Sequence, residues 1–546
     1  MNRSKSASRA GPSARIGRAG ALALIAVLWP CLAGAAASLW SSANRPTPAA
    51  VALLEEMSHA EARALDPADY DTERLGTLIA QARTARDGAG WTEFDRAMST
   101  AAARFVSDLH FGRIDPASVG HHLTIDREAL DVRATLEKLA ATTNPAPLLD
   151  ELEPQFEHYA LLKAQLARYR ILARDPGLTD LPALPPRPRG RPAAATLPAP
   201  SRLAPPSLTD YPGSARLARL LAALGDLPTS ETTSTPSPAV LSAALRRFQH
   251  RHGIEPDGVL GAATFAELTR PLTVRLRQIE LTLERWRWLP HKLPSAPIIV
   301  NIPQFHLYAF ASRVDTERDL VQMDVIVGKA FQATQTPVFT ADLSYLVFRP
   351  YWDVPIDIAR RELVPAARRD PRSLERNGLE LVHRYDDPPG SALPPSEANL
   401  ALAARGSLLM RQRPGPDNAL GLVKFMMPNP YNVYLHSTPA RALFGQSRRA
   451  FSHGCIRVSD PVGLAEYVLR DAPDWNRERI LAAMNESPAP RVVHLPHPIR
   501  VFVVYGTALA TETGDTFFFD DIYGQDARLE QALAAHHLAI RSASPL

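Results

Sequence analysis

Ten prolines fall between Leu181 and Pro212, interleaved with alanine and arginine. Proline lacks the backbone N–H and fixes φ, so neither a helix nor a strand ladder runs through such a stretch. The segment favours extended polyproline geometry and reads as a semi-rigid linker. The chain must therefore fold as separate units on either side of it. At roughly 150 residues per domain, 546 residues suggest three or four such units.

Upstream of the linker, from Ala49 to about Ala173, apolar residues recur at spacings of three and four, as in Val51, Leu54 and Met57 and again in Leu161, Leu162, Leu166 and Tyr169. That period predicts helices, with turns at Leu65-Asp66-Pro67 and at Gly112 to Pro116. His121 and His122 are adjacent rather than four apart, which is wrong for a helical metal pair. The first forty residues differ again. Arg3, Lys5, Arg9, Arg15 and Arg18 precede an apolar stretch, Ala19 to Ala33, and then a run of small residues. This is the order of a secretory signal, with A-x-A cleavage sites at Ala33 to Ala35 or Ala35 to Ala37. An uncleaved inner-membrane anchor is the alternative, but the run is shorter than the ~20 residues of a span and contains Pro30. The chain is expected to be exported to the periplasm.

Charge follows from that reading. The formal net charge of +4 includes five basic residues in positions 1 to 37 and no acid there, so removal leaves 56 basic against 57 acidic residues. A nucleic-acid partner is not expected from a near-neutral chain. Two cysteines in this length supply neither a disulfide framework nor a multi-thiolate metal site, and one of them, Cys31, lies in the export segment. Cys455 is left as the one thiol of the mature chain.

Downstream of the linker, Leu241, Leu245 and Phe248 share a helix face, Gly253 ends that helix, Asp257-Gly258 makes a turn, and a helix restarts at Thr264 to Leu268. From Ala296 the period changes. Short runs of β-branched and aromatic residues appear at Ile298–Ile302, Phe305–Phe310, Val321–Val327, Tyr345–Phe348, Tyr431–Leu435 and Arg500–Tyr505, predicting a mainly antiparallel β domain. An interruption from Asp357 to Gly415 is charged and helical at first, then carries Pro388-Pro389 and Pro394-Pro395. An insertion of this length predicts a lid or a disordered excursion.

Cys455 lies in the run Phe451-Ser452-His453-Gly454-Cys455-Ile456-Arg457-Val458. A thiol becomes a nucleophile when a base takes its proton and donors hold the oxyanion that develops on the attacked carbonyl. His436 follows the predicted strand Tyr431–Leu435. His453 is two residues before the thiol, an offset that in a strand puts both on one face. Gly454 permits close backbone approach. A buried inert cysteine is the bland reading; export to an oxidising compartment and neighbours of His, Gly and Arg favour a working thiol. A one-Cys, two-His metal site lacks a fourth ligand at recognisable spacing, so no metal and no other cofactor is expected.

Two stretches carry resemblances. Ala243 to Leu268, AALRRFQHRHGIEPDGVLGAATFAEL, resembles the peptidoglycan-binding module, with a bare three-helix spacer as the alternative. HSTP at His436 to Pro439 followed by SHGCIRV at Ser452 to Val458 is similar to the active-site signature of L,D-transpeptidases with the YkuD catalytic domain. ERWRWLP at Glu284, NIPQFHLY at Asn301, RQRPGPDNALGLVKFMMPN at Arg411 and the helical stretch Phe94 to Pro116 resemble the large Gram-negative subgroup of that family.

The resemblance implies a multidomain α+β chain. A signal peptide (1–37) would precede a helical scaffold (38–180), the linker (181–212) and a small three-helix peptidoglycan-binding module (213–272). A mainly-β YkuD-type catalytic domain (296–470) with a lid insertion at about 357–415 would follow, then a C-terminal extension (471–546) packing on it. It implies Cys455 as nucleophile, His436 as the group that moves its proton, and His453 as a supporting histidine. Gly454 and the Cys455 N–H would form the oxyanion site, Ser452 and Arg457 would shape the pocket, and Tyr434 and Trp352 would wall the peptide stem. The implied reaction forms 3-3 peptidoglycan cross-links through a cysteinyl thioester with loss of D-alanine, and carbapenems would acylate the thiol. Stem peptides are the expected partners, with cell-wall synthases as further ones. L,D-carboxypeptidase, lipoprotein-anchoring and non-catalytic scaffold activities stay open.

Overall fold

The computed structural model describes residues 38–84, 89–125, 128–184, 208, 211–228, 236–293, 296–310, 320–487 and 489–543. The expected export segment 1–37, with Cys31, and most of the proline-rich linker lie outside them.

Six helices follow the three-four periodicity of the scaffold: α1 (Pro48–Ser58), α2 (Thr72–Thr84), α3 (Ala89–Phe111), α4 (Val132–Ala140), α5 (Ala146–Glu151) and α6 (Glu157–Leu172). Thr47 caps α1 by accepting from the Ala50 N–H, and Pro48 sits in the first turn, where no N–H is needed. Trp91, Phe94, Met98 and Phe105 line one face of α3 and bury against Leu53, Met57 and Tyr70, while a short hairpin, β1 (Ser41–Ser42) and β2 (Arg45–Pro46), precedes α1.

The module comprises α7 (Ser214–Leu224), α8 (Pro238–Arg251) and α9 (Ala262–Leu268). Its signature residues hold its own fold. The buried Gln249 amide donates to Asp257 Oδ1 (2.8 Å), the Val259 carbonyl (3.0 Å) and Thr264 Oγ1 (3.0 Å), and its oxygen accepts from the Gly258 N–H (2.7 Å). Gly258 has φ +73°, and a Cβ there would meet Ser242, so only glycine serves. Module and scaffold share one core, in which Tyr159, Leu162 and Leu166 of α6 meet Leu220, Leu245 and Phe248.

Helix α10 (Leu272–Trp286) and the turn after it bolt the scaffold to the β domain with buried charge. Glu284 accepts from the Arg113 backbone N–H (2.5 Å) and side chain (3.2 Å), and Arg287 donates to Tyr159 Oη (2.9 Å). Arg285 pairs with Asp526 at 2.6 Å.

Ten strands form the catalytic sheet: β3 (His121–His122), β4 (Ile298–Asn301), β5 (His306–Phe310), β6 (Leu320–Gly328), β7 (Val338–Phe348), β11 (Val423–Met426), β12 (Leu435–His436), β13 (Ala450–Ser452), β14 (Ile456–Val458) and β15 (Arg491–Val504). Their order is β11–β12–β14–β6–β5–β4–β15–β7–β3, with β13 on β6. Because β11 also pairs with β7, eight strands close on themselves. Leu307, Met323, Val325, Phe425, Leu435 and Val503 alternate inward, where α15 (Pro461–Val468) and α16 (Arg477–Asn485) complete the core.

Three expectations need revision. Residues 471–546 do not merely pack on the domain: β15 runs between β4 and β7 in the middle of the sheet. Tyr431 to Tyr434 is not strand, because Asn432 is left-handed at φ +53° and pairing starts only at Leu435. The interruption is neither loop nor excursion. It holds α11 (Ile356–Ile358), a π-helical turn Ala359–Leu363, α12 (Val364–Arg369), α13 (Arg372–Arg376), β9 (Leu379–Val382), α14 (Glu397–Arg405) and β10 (Leu409–Gln412). With β8 (Trp352–Asp353) these make a three-stranded sheet over a core of their own, including Val364, Leu381, Leu400 and Met410. After β15 come the hairpin β16 (Ala508–Ala510) and β17 (Thr516–Phe518) and helix α17 (Gln525–Ala543).

Candidate active site

Register assembles the site. β12 pairs parallel with β14, Leu435 against Ile456 and His436 against Arg457, and β11 sets Lys424 beside His436. Leu435, Ile456 and Phe425 point inward, so Lys424, His436 and Arg457 share the outer face, and Tyr434 and Cys455, each one residue ahead of its strand, meet these same side chains there.

His436 is 3% exposed, and its Nδ1 lies 2.6 Å from the Ser437 carbonyl. A carbonyl only accepts, so Nδ1 carries the proton. Burial, then the Arg457 charge, push the imidazole pKa down to about 3 against the Ser437 and Leu420 carbonyls, which raise it, so the ring rests neutral with Nε2 unprotonated. Cys455 is half-buried; its Sγ donates to the Asn432 carbonyl at 3.6 Å, and no hydrogen bond joins it to His436. Burial raises the thiol pKa, against Tyr434, Arg457 and Lys424, which lower it. The resting group is a thiol. The Tyr434 ring lies 5.8 Å from that of His436, with Lys424 Nζ 5.8 Å from its own centroid.

Ser452 ties the loop around the thiol. Its hydroxyl donates to the Cys455 carbonyl (2.5 Å) and accepts from the Gly454 N–H (3.1 Å). Thr336 donates to the Gly454 carbonyl at 2.8 Å. The Gly454 N–H is thus occupied, whereas the Cys455 N–H has no hydrogen-bond partner among the described residues. Gly454 stands at φ +119°, a conformation that side chains resist.

That turn overturns the expected alignment of His453 with the thiol. Residues 453–455 are not strand, and His453 Nε2 reaches the lid instead, 2.8 Å from Glu362 Oε1 in the π-helical turn. Trp352 is part-buried and packs against the core of the insertion. Its neighbour Asp353 is the residue whose charge bears on Lys424 and Tyr434. Ser452 braces the loop from a buried position. Arg457 has no ion-pair partner among the described residues, and its Nε is buried without a hydrogen bond. Sequence reasoning missed Lys424, Thr336, Asn432, Asp353 and Glu362. Only Lys424 carried a signal, inside the KFMMPN block.

Residues 296–481 match the family described as "L,D-transpeptidase catalytic domain". The chain carries an L,D-transpeptidase catalytic domain of the YkuD family. Residues 34–166 match a "Scaffold domain" and residues 212–268 a "Putative peptidoglycan binding domain". A protein of Haemophilus influenzae described as "Putative L,D-transpeptidase" is 33% identical over 240 residues, covering 43% of this chain and 45% of that protein. The match thus spans less than half the length of that relative. Among the described residues no helix of this L,D-transpeptidase-domain protein is long and apolar enough to cross a membrane.

Proposed function

We propose that the protein is a periplasmic L,D-transpeptidase that forms 3-3 peptidoglycan cross-links through a thioester on Cys455. The observation that carries this reading is the outer-face row in which a neutral imidazole, two cations and the thiol stand beside an unpartnered Cys455 N–H.

The thiol first turns from the Asn432 carbonyl toward His436. As Sγ attacks the carbonyl of the third stem residue, His436 Nε2 takes the thiol proton and the C–S bond forms. The carbonyl electron pair moves onto oxygen, held by the Cys455 N–H. Collapse breaks the C–N bond to D-alanine, whose nitrogen receives the proton from Nε2. The amine of a second stem then loses a proton to Nε2 and attacks the thioester, and the departing sulfur is reprotonated. Two half-reactions through one covalent intermediate need no ATP. Arg457 and Lys424 favour binding of stem carboxylates and keep His436 free of its proton between steps.

The test is incubation with disaccharide tetrapeptide, read by mass spectrometry. Cross-linked dimers lacking one D-alanine are expected from the intact chain and none from Cys455→Ala. Tripeptide alone would replace the reading with a carboxypeptidase, and dimers from Cys455→Ala would overturn the nucleophile.

A further inference from the structure

Beside the thiol site lies an unassigned cleft of about 1240 Å³, larger than the ~300–1,000 Å³ of ordinary small-molecule sites. The scaffold lines it with Phe156 and Leu161, the module with His250 and His252–Pro256, the catalytic domain with His306 and Tyr308, and the β16–β17 hairpin with Phe517.

Its floor belongs to the same outer face as Cys455. His306 pairs with Asp324 and Tyr308 with Gln322, while Ile326, two residues on from Asp324, pairs with Arg457. Farther along, Ile299 and Phe502 on this face are covered by the module–scaffold core. The β5–β6 strip is the open stretch between that cover and the thiol. At about 4.8 Å per strand, β14 lies about 10 Å from β5. Loop 444–449 walls the cleft and runs directly into β13 and the catalytic turn. Arg449 pins the loop by donating to Asp324 (2.7 Å) and the Phe305 carbonyl (3.1 Å).

The lining alternates rings with hydrogen-bonding groups. Phe517 lies against Phe519, the exposed His250 meets Phe517 edge-on with ring centroids 5.7 Å apart, and Tyr308 accepts from Gln304. Gln446, Glu255 and Asp520 add planar polar groups. A pyranose chain has the complementary surface: apolar C–H faces for rings and a girdle of hydroxyls and acetamides for amides and carboxylates. Gln249, Asp257, Gly258 and Thr264 are consumed within the module's own fold, so its contribution to a ligand falls to His250 and His252–Pro256, which face this cleft.

We infer that the cleft binds an N-acetylhexosamine glycan strand, shared by scaffold, module and catalytic domain, and delivers the attached stem to Cys455. This rests on the peptidoglycan reading above. The test is calorimetry of the full chain with chitotetraose and with glycan strands stripped of stem peptides. Binding is expected, weakened at least tenfold by Phe517→Ala and by His250→Ala, with melting temperatures close to the parent and with affinity retained in Cys455→Ala. Absence of binding by the intact chain, or equal affinity in both ring variants, overturns the cleft. The two readings fail separately: turnover of tetrapeptide without glycan binding leaves the enzyme and removes the cleft. Glycan binding without turnover does the reverse.

Discussion

The state of the Cys455–His436 pair before substrate arrives is open to direct titration. With the imidazole pKa at about 3, protonating it at pH 7 costs about 5 kcal/mol. An ordinary thiol costs about 2 kcal/mol to ionise at that pH, and Cys455 is raised above ordinary. Attraction between the two charges at ~4 Å returns about 4 kcal/mol at an effective dielectric of 20. The preformed ion pair therefore stands at least about 3 kcal/mol above the neutral pair, under about one molecule in a hundred. Alkylation of Cys455 by iodoacetamide, followed from pH 4 to 10, is expected to rise with pH throughout and to show no acid-side plateau. Arg457→Gln removes a cation that favours both thiolate and neutral imidazole, so the alkylation curve moves to higher pH while the His436 titration moves up. A full-rate plateau from pH 5 to 8 would refute the neutral pair, and an unmoved curve in the variant would refute the part given to Arg457.

Further outcomes follow from the same geometry. Gly454→Ala forces a side chain into φ +119°, costing about 1–3 kcal/mol locally; dimer formation should fall at least a hundredfold in mass-spectrometric assays. Glu362→Gln breaks the exposed pair to His453, worth under about 1 kcal/mol; global melting should hardly move while amide exchange in residues 356–369 quickens. His436 and His121 both have pKa values lowered to about 3, so the unfolded chain takes up their protons first, near 6.5. Stability is then full above that pH and declines as pH falls toward 3, by up to about 5 kcal/mol per histidine; His121→Gln should flatten the fall of melting temperature with acid. Glu284→Gln leaves Arg113 and Arg287 buried without their carboxylate, and a loss of about 3–5 kcal/mol should appear in urea unfolding.

Local signals carried far in this sequence, and non-local ones did not. Helices of the scaffold and module follow their three-four spacing, and the Ser452–Val458 run drew attention to the thiol because chemistry concentrates in short motifs. The face shared by His436 and Cys455 comes instead from a parallel register between strands of two and three residues, too short to show a period. The same-face expectation for His453 failed at one glycine, since a positive φ reverses the direction that strand alternation assumes. The order within the insertion at 357–415 was not legible locally, because its proline pairs mark turns inside a subdomain whose small core joins Val354 to Met410. Asp353, next to Trp352 in β8, was not legible as a neighbour of Lys424 because adjacent residues of a strand leave opposite faces and the pairing of β8 with β10 is non-local.

The strand Arg491–Val504 has a consequence for how the chain comes together. It is parallel to β4, whose paired residues lie 203 positions earlier, and antiparallel to β7, whose paired residues lie 143–164 positions earlier. Until it arrives, β4 and β7 each present an unpaired edge, and the barrel beneath the thiol has a slot one strand wide. Closing such a long loop makes this pairing late and slow. A nascent chain stopped anywhere before Arg491 holds every proposed catalytic residue and still cannot place Lys424 beside His436 on a rigid frame. Tags, fusions and truncations near the C-terminus thus act on the thiol from a distance: the last tenth of the chain decides when the first turnover becomes available.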